Sequence, residues 1–219
     1  SLFDRFRGRI IYPIHAIAGK VIGFEARVLK SDNKEIAKYL NSPETPLFIK
    51  GHTLYGLFEG REAIRQAGKV LLVEGYMDVV ALNQYGIGYS VAALGTAATA
   101  HHVRQLQKLT QHLIFCFDGD QAGQRAAWRA LENTLPQLED GTLVEFLHLP
   151  NGEDPDSFIR RYGLAAWEQQ LAQAEPSGTS APYLPNANPP PPLPPPTTPT
   201  KPPAPTPTHT PITQSHSPP

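Results

Sequence analysis

Four short apolar runs recur through the middle of the chain: Val70-Leu71-Leu72-Val73, Tyr89-Ser90-Val91-Ala92-Ala93-Leu94, Leu113-Ile114-Phe115-Cys116-Phe117 and Val144-Glu145-Phe146-Leu147-His148-Leu149. Runs of strand length with few polar interruptions suit strands covered on both faces. The stretches between them predict helices near 76–85, 98–109 and 122–135, and a helix pair near 155–162 and 164–174. Strands alternating with helices at this spacing predict a parallel sheet with right-handed crossovers. Upstream the pattern is different. Residues 1–60 read as short strands and turns: a β-rich run at 10–14, a turn at Ala18-Gly19-Lys20, and a hairpin-like return through 21–24 and 26–29.

From Pro176 onward the pattern stops. That stretch holds 18 of the 24 prolines and one charged residue, Lys201, with no Asp or Glu. Such a segment cannot bury enough apolar surface to offset the entropy of ordering it, so residues 176–219 are expected to form a disordered proline-rich tail. The remaining 175 or so residues suffice for one domain or two small ones. The expected division is a first subdomain over 1–68 and an α/β domain over 69–175.

Cys116 is the only cysteine, which excludes a disulfide within the chain and a cysteine-based zinc site. Its place in an apolar run reads as a buried small hydrophobe. No apolar run approaches the ~20 residues a membrane helix needs, and no leader is recognisable, so the expected setting is the cytoplasm, with no membrane partner. The net charge of −1 conceals an asymmetry. Residues 1–70 carry twelve Lys/Arg against seven Asp/Glu, and residues 71–175 carry six against thirteen. A basic half beside an acidic half suits a protein that holds phosphates with one and cations with the other.

The acidic residues follow the apolar runs. Glu74 comes directly after the first, with Asp78 one helical turn on. Asp118 and Asp120 follow the third, and Asp154 and Asp156 follow the fourth through Pro150-Asn151-Gly152-Glu153. Each has an ordinary structural reading; Asp154 before Pro155, for example, is a good helix N-cap. In a parallel sheet, however, all of them fall beyond the carboxyl ends of the strands, where ligands bind. Carboxylates gathered there repel one another, at roughly 4 kcal/mol per ionised pair for ~4 Å and an effective dielectric of ~20, unless protons or a cation intervene. Oxygen ligands alone favour Mg²⁺ or Mn²⁺, and magnesium prefers to share phosphate ligands.

Taken together, Glu74-Gly75-Tyr76-Met77-Asp78-Val79-Val80-Ala81-Leu82, Leu94-Gly95-Thr96, Phe117-Asp118-Gly119-Asp120 with Ala122-Gly123, and Gly152-Glu153-Asp154-Pro155-Asp156 resemble the Toprim domain of bacterial DnaG-type DNA primases. The glutamate and the Asp-Gly-Asp alone would also fit topoisomerases, recombination-mediator proteins and some nucleases. The longer run from Glu74 to Asp78, with Ala126-Ala127-Trp128-Arg129-Ala130-Leu131-Glu132, is similar to primases specifically. Asp4-Arg5-Phe6-Arg7, Lys38-Tyr39-Leu40-Asn41-Ser42-Pro43-Glu44-Thr45 and Lys50-Gly51 with Leu54-Tyr55-Gly56-Leu57 resemble the adjoining half of the primase polymerase core. The resemblance covers about residues 1–175.

The resemblance implies a Toprim-type parallel sheet flanked by helices, preceded by a partial α+β subdomain. It also implies a metal-dependent nucleotidyltransferase that makes short RNA primers on a single-stranded DNA template from ribonucleoside triphosphates, at the replication fork. By motif, Glu74 corresponds to the Toprim glutamate, a metal-site or acid-base residue. Asp118, Asp120 and Asp156 would hold divalent ions, with Asp78 and Asp154 beside them. Arg27, Lys38, Asn41 and Lys50 would contact nucleotide phosphate or template backbone. No zinc site is expected within this chain. The family's zinc-binding domain, the first part of its polymerase core and the helical domain that docks on the replicative helicase have no counterpart in the sequence, so a fragment inactive on its own is expected. The alternatives are a non-catalytic module that binds metal and nucleic acid, and another Toprim enzyme such as a nuclease or topoisomerase subunit.

Three positions depart from the family pattern. Phe24-Glu25-Ala26-Arg27 stands where the family usually has two glycines before the arginine, His52 replaces a usual basic residue, and Gln121 replaces the usual arginine after Asp120. The first is expected to crowd a close backbone approach and the others to reduce positive charge. The histidines, including His101 and His102 in one helix and His15, His112 and His148 in or near strands, read as structural.

Overall fold

The computed structural model describes residues 4–29, 37–95, 97–118 and 135–176. The expected helix at 122–135, Thr96 and Asp120 lie outside the described residues, apart from a short 3₁₀ turn at Leu135–Gln137.

Among the described residues the strands form two sheets. β1 (Arg9–His15), β2 (Val21–Val28) and β3 (Tyr39–Asn41) form an antiparallel sheet in the order β1-β2-β3. The turn that reverses the chain places Gly19 at φ 82, in the left-handed region that favours glycine. The two short runs expected over 21–29 are one continuous strand.

The second sheet has six strands: β4 (Leu54–Tyr55), β5 (Val70–Val73), β6 (Ser90–Ala93), β7 (His112–Phe117), β8 (Leu143–His148) and β9 (Glu175–Pro176), in the spatial order β4-β6-β5-β7-β8-β9. The four central strands are parallel, as the apolar runs predict. Both edges are antiparallel, and neither edge strand was anticipated. Pro176, the first residue of the expected tail, pairs with Glu145. Residues 177–219 lie outside the described residues.

Helices cover both faces. α1 (Leu57–Ala67) and α3 (Ala100–Gln107) pack on one, and α2 (Tyr76–Gln84) and α4 (Pro155–Leu171) on the other. Alternation along the strands divides the core accordingly. Val70, Leu72, Leu113 and Phe115 face Leu57, Ile64, Val103 and Leu106, whereas Leu71, Val73, Ile114 and Cys116 face Val79, Leu82, Phe158 and Trp167. The expected helix pair is confirmed, because Gly163 (φ 78, ψ 179) breaks α4. α1 is a helix that the sequence reading missed. Its signal is the glycine at each end: Gly56 and Gly68 both take left-handed φ, the second at the C-terminal stop position.

A third, small cluster joins the sheets. Ile14 from β1, Phe48 and Leu94 beyond β6 are almost completely buried together. This contact sets the three-stranded sheet against the carboxyl end of the parallel sheet, and the space beside it is the candidate site.

Candidate active site

A cavity of about 350 Å³ opens between the two sheets. Arg27 from β2, Lys38 just before β3 and Asn41 from β3 line it, and Glu74, Asp78, Asp154 and Asp156 line it from the other side. Four of the six carboxylates and three of the four phosphate-contact candidates named from sequence therefore share one space. Lys50 and Asp118 are not among the lining residues, but both act on those that are: Lys50 on the Glu25 carboxyl, and Asp118 on Asp78.

The geometry gives several of these carboxylates structural duties as well. Asp154 is the N-cap of α4 and accepts from the Ser157 backbone N–H at 2.6 Å. Asp78 accepts from the N–H of Gly75 at 3.1 Å and of Asp156 at 3.2 Å, which ties the loop after β5 to the start of α4. Asp156 pairs with Arg160 one turn along α4. Glu153, buried and not anticipated from sequence, accepts from Arg161 and from Ser157 Oγ, each at 2.6 Å.

Asp78 carries the electrostatic cost. Burial, and then the charges of Asp154 and Asp118, push its carboxyl up to about 7 against the bonds from Asp156 and Gly75. The Cys116 thiol beneath is pushed up too, first by complete burial and then by Asp78, Asp118 and Glu74. The donors here are hard carboxylate oxygens under mutual repulsion, and a divalent cation would relieve that repulsion. By donor chemistry the residues fit an ion of the Mg²⁺ or Mn²⁺ kind. Among the described residues, no three His, Cys, Asp or Glu side chains stand ready as a metal-holding group. Asp120 falls outside that set.

A pH prediction arises from Asp78. The folded chain holds the Asp78 proton more tightly than the unfolded chain does. The stabilisation is therefore complete below about pH 4 and is lost as pH rises to about 7. His102 acts in the opposite sense, because burial lowers its pKa to about 4. The stability of the Asp78→Asn variant relative to wild type should isolate Asp78. In metal-free buffer that difference should move in favour of the variant between pH 4 and 7 by a few kcal/mol, or about 5–10 °C. Thermal melts of both proteins across the interval check it, and a constant difference would refute the assignment.

The opposite wall is held by residues far apart in sequence. Lys50 begins a 3₁₀ turn (Lys50–His52) that docks on α3. Thr99 Oγ1 donates to Gly51 O at 2.7 Å, and His102 Nε2 lies 3.1 Å from Lys50 O. The Thr99 N–H donates to His102 Nδ1 at 3.3 Å, so the buried, neutral ring carries its proton on Nε2 and donates to the carbonyl. Lys50 N–H also donates to Glu44 Oε1 at 2.8 Å. Four tyrosines cluster beside it, of which Tyr39 and Tyr76 line the cavity. Tyr12, Tyr39 and Tyr55 have ring centroids 5.0, 5.8 and 5.7 Å from that of Tyr76, whose buried hydroxyl has no hydrogen-bond partner among the described residues. Glu25, beside them, is 3% exposed. The sequence marked this position as a departure from a glycine pattern but did not reveal a buried charge.

Both parts of the chain have matches among known proteins. Residues 1–61 match the family model described as the DNA primase catalytic core, N-terminal domain, and residues 71–159 match the Toprim-like model. The DNA primase of Neisseria meningitidis serogroup A is 61% identical over 169 residues, covering 77% of this chain and 28% of that protein. The Escherichia coli primase catalytic core superposes with a TM-score of 0.74 at 52% identity, covering 79% of this chain and 54% of that one. A DnaG primase catalytic domain bound to single-stranded DNA gives the same TM-score and identity, with 55% of its chain covered. The chain thus spans less than a third of the length of the curated relatives it matches. Over residues 1–61 and 71–159, it belongs to the family of DnaG-type DNA primases, of which it carries N-terminal catalytic-core and Toprim-like portions.

Proposed function

We propose that this chain is the metal-holding part of a primase catalytic core, acting in RNA primer synthesis on single-stranded DNA in the compartment that holds the chromosome. One observation carries the reading: a single cavity is lined by basic and amide side chains from one sheet and by carboxylates at the carboxyl edge of the other. In this reading residues 1–68 supply the phosphate wall and residues 69–175 the carboxylates. Arg27, Lys38, Asn41 and Lys50 bind phosphate oxygens of the incoming ribonucleoside triphosphate or of the template. Glu74, Asp118 and Asp120, with Asp78, Asp154 and Asp156 beside them, hold Mg²⁺ or Mn²⁺. The ions, when bound, lower the pKa of the primer's 3′-hydroxyl and offset charge on the leaving pyrophosphate. The protein's own contribution is alignment of hydroxyl and α-phosphate, an effect that can supply ~7–11 kcal/mol of the barrier.

The basic wall is tested by salt. Each phosphate contact to a single strand contributes about 0.7 to the slope of log affinity against log salt. Lys38→Ala and Lys50→Ala should each weaken oligothymidylate binding and lower the slope by roughly that amount, measured by fluorescence anisotropy over a salt series. Unchanged affinity and slope in both variants would leave these lysines as surface only.

A further inference from the structure

Glu25 is the charged group in this cavity that the proposed function does not use. It lies on β2 opposite Tyr12 of β1 and Asn41 of β3, and it lines the cavity together with Arg27 and Lys38. Only 3% of its surface is exposed, and its Oε2 is buried without a hydrogen-bond partner among the described residues. Buried carboxylates left half satisfied are costly, and each needs a reason. The groups that face it are few. The Asn41 side chain hydrogen-bonds to it, and Lys50 is the cation that acts most strongly on it. From the other elements the neighbours are phenols: Tyr12, Tyr55 of β4 and Tyr76 of α2, with Arg27 on its own strand.

Asn41 and Lys50 are two of the four groups assigned above to phosphate. We propose that Glu25 is a built-in competitor for phosphate: in the resting chain its carboxylate holds Asn41 and offsets the charge of Lys50 through space, and it must give up that hold, or lose its charge, before phosphate oxygens bind at this wall. This inference rests on the phosphate-wall reading of the proposed function. The position is tuned for such exchange. Burial, opposed by Lys50 and Asn41, holds the carboxyl at about 7, so near neutral pH the competitor is present in both charged and uncharged forms. A glycine at this position would place no competing charge in the cavity.

The ligand chemistry is a phosphate oxygen, from a nucleoside triphosphate or from a single-stranded backbone, and two probes separate the sources. Binding of ATP and of an oligothymidylate would be measured by calorimetry for wild type, Glu25→Gln and Lys50→Ala at pH 6 and pH 8. Glu25→Gln should bind at least one probe about tenfold more tightly than wild type at pH 8, and the gain should shrink toward pH 6, where the native carboxyl is largely protonated. Whichever probe gains identifies the source, and a gain in both marks a shared wall. Glu25→Ala, which places no polar group in the buried position, should repeat the gain without depending on the new amide's hydrogen bonds. If Lys50→Ala weakens binding but neither Glu25 variant strengthens it, the wall stands and this proposal falls. If the Glu25 variants bind more tightly while Lys50→Ala changes nothing, the wall reading fails, and with it the competition between Glu25 and phosphate.

Discussion

Primer synthesis should fall by a factor on the order of 10³ or more when Glu74 is replaced by Gln in a chain that has the rest of a primase around it. The host can be the Neisseria meningitidis DNA primase, with the matching stretch replaced by this sequence, since the two are 61% identical there. Glu74 stands directly after β5, lines the cavity and is exposed, and glutamine keeps its length and one acceptor oxygen while removing its charge. Its loss should therefore leave folding intact and remove chemistry. Incorporation of ribonucleotides on a single-stranded template measures this, and the melting temperature of both proteins supplies the control. A Gln variant that retained a tenth of the activity would show that Glu74 neither holds an ion nor moves a proton.

Replacing Asp118 and Asp120 together by Asn should abolish Mn²⁺ binding while leaving the fold at least as stable. Asp118 directly follows β7 and its charge already raises the Asp78 carboxyl across the carboxyl edge of the sheet. Each pair of ionised carboxylates relieved at ~4 Å is worth roughly 4 kcal/mol at an effective dielectric of ~20, before solvent screening reduces it. The signs of the two effects differ, and that separates this account from a structural one. If the two aspartates only capped a turn, the double variant would lose stability and keep its weak affinity for the ion. Calorimetric titration with Mn²⁺ and a parallel thermal melt read both quantities.

Much of this was legible because strands buried on both faces write themselves as apolar runs. β5, β6, β7 and β8 fall where Val70–Val73 and its three counterparts predict them, and carboxylates following such runs arrive at one edge by topology alone. The edge strands were not legible. Leu54-Tyr55 and Glu175-Pro176 are two residues each, too short to show a period, and their pairing is decided by neighbours distant in sequence. α1 hid behind a sparse apolar stripe, with Leu57, Gly60 and Ile64 its only buried residues. Nor could sequence show that His102 holds the carbonyl of Lys50 from 52 residues away. Glu25 is the instructive case. Its position was marked as a steric departure near the backbone, yet its consequence is electrostatic, and only packing against Tyr12, Asn41 and Tyr76 reveals that the charge is buried.

If the basic wall and the carboxylate edge serve one ligand, metal and phosphate must bind there together. Coupling between two ligands at one site is reciprocal: each changes the other's affinity by the same factor. Calorimetric titration of Mn²⁺ into this chain with and without a non-hydrolysable ribonucleoside triphosphate, and of the triphosphate with and without Mn²⁺, measures that factor directly after correction for Mn²⁺ bound by the free nucleotide. Each alone should bind weakly, and the two should tighten one another about tenfold or more, an effect lost in Lys50→Ala. Independent affinities, with a coupling factor of one, would show that wall and edge are separate sites.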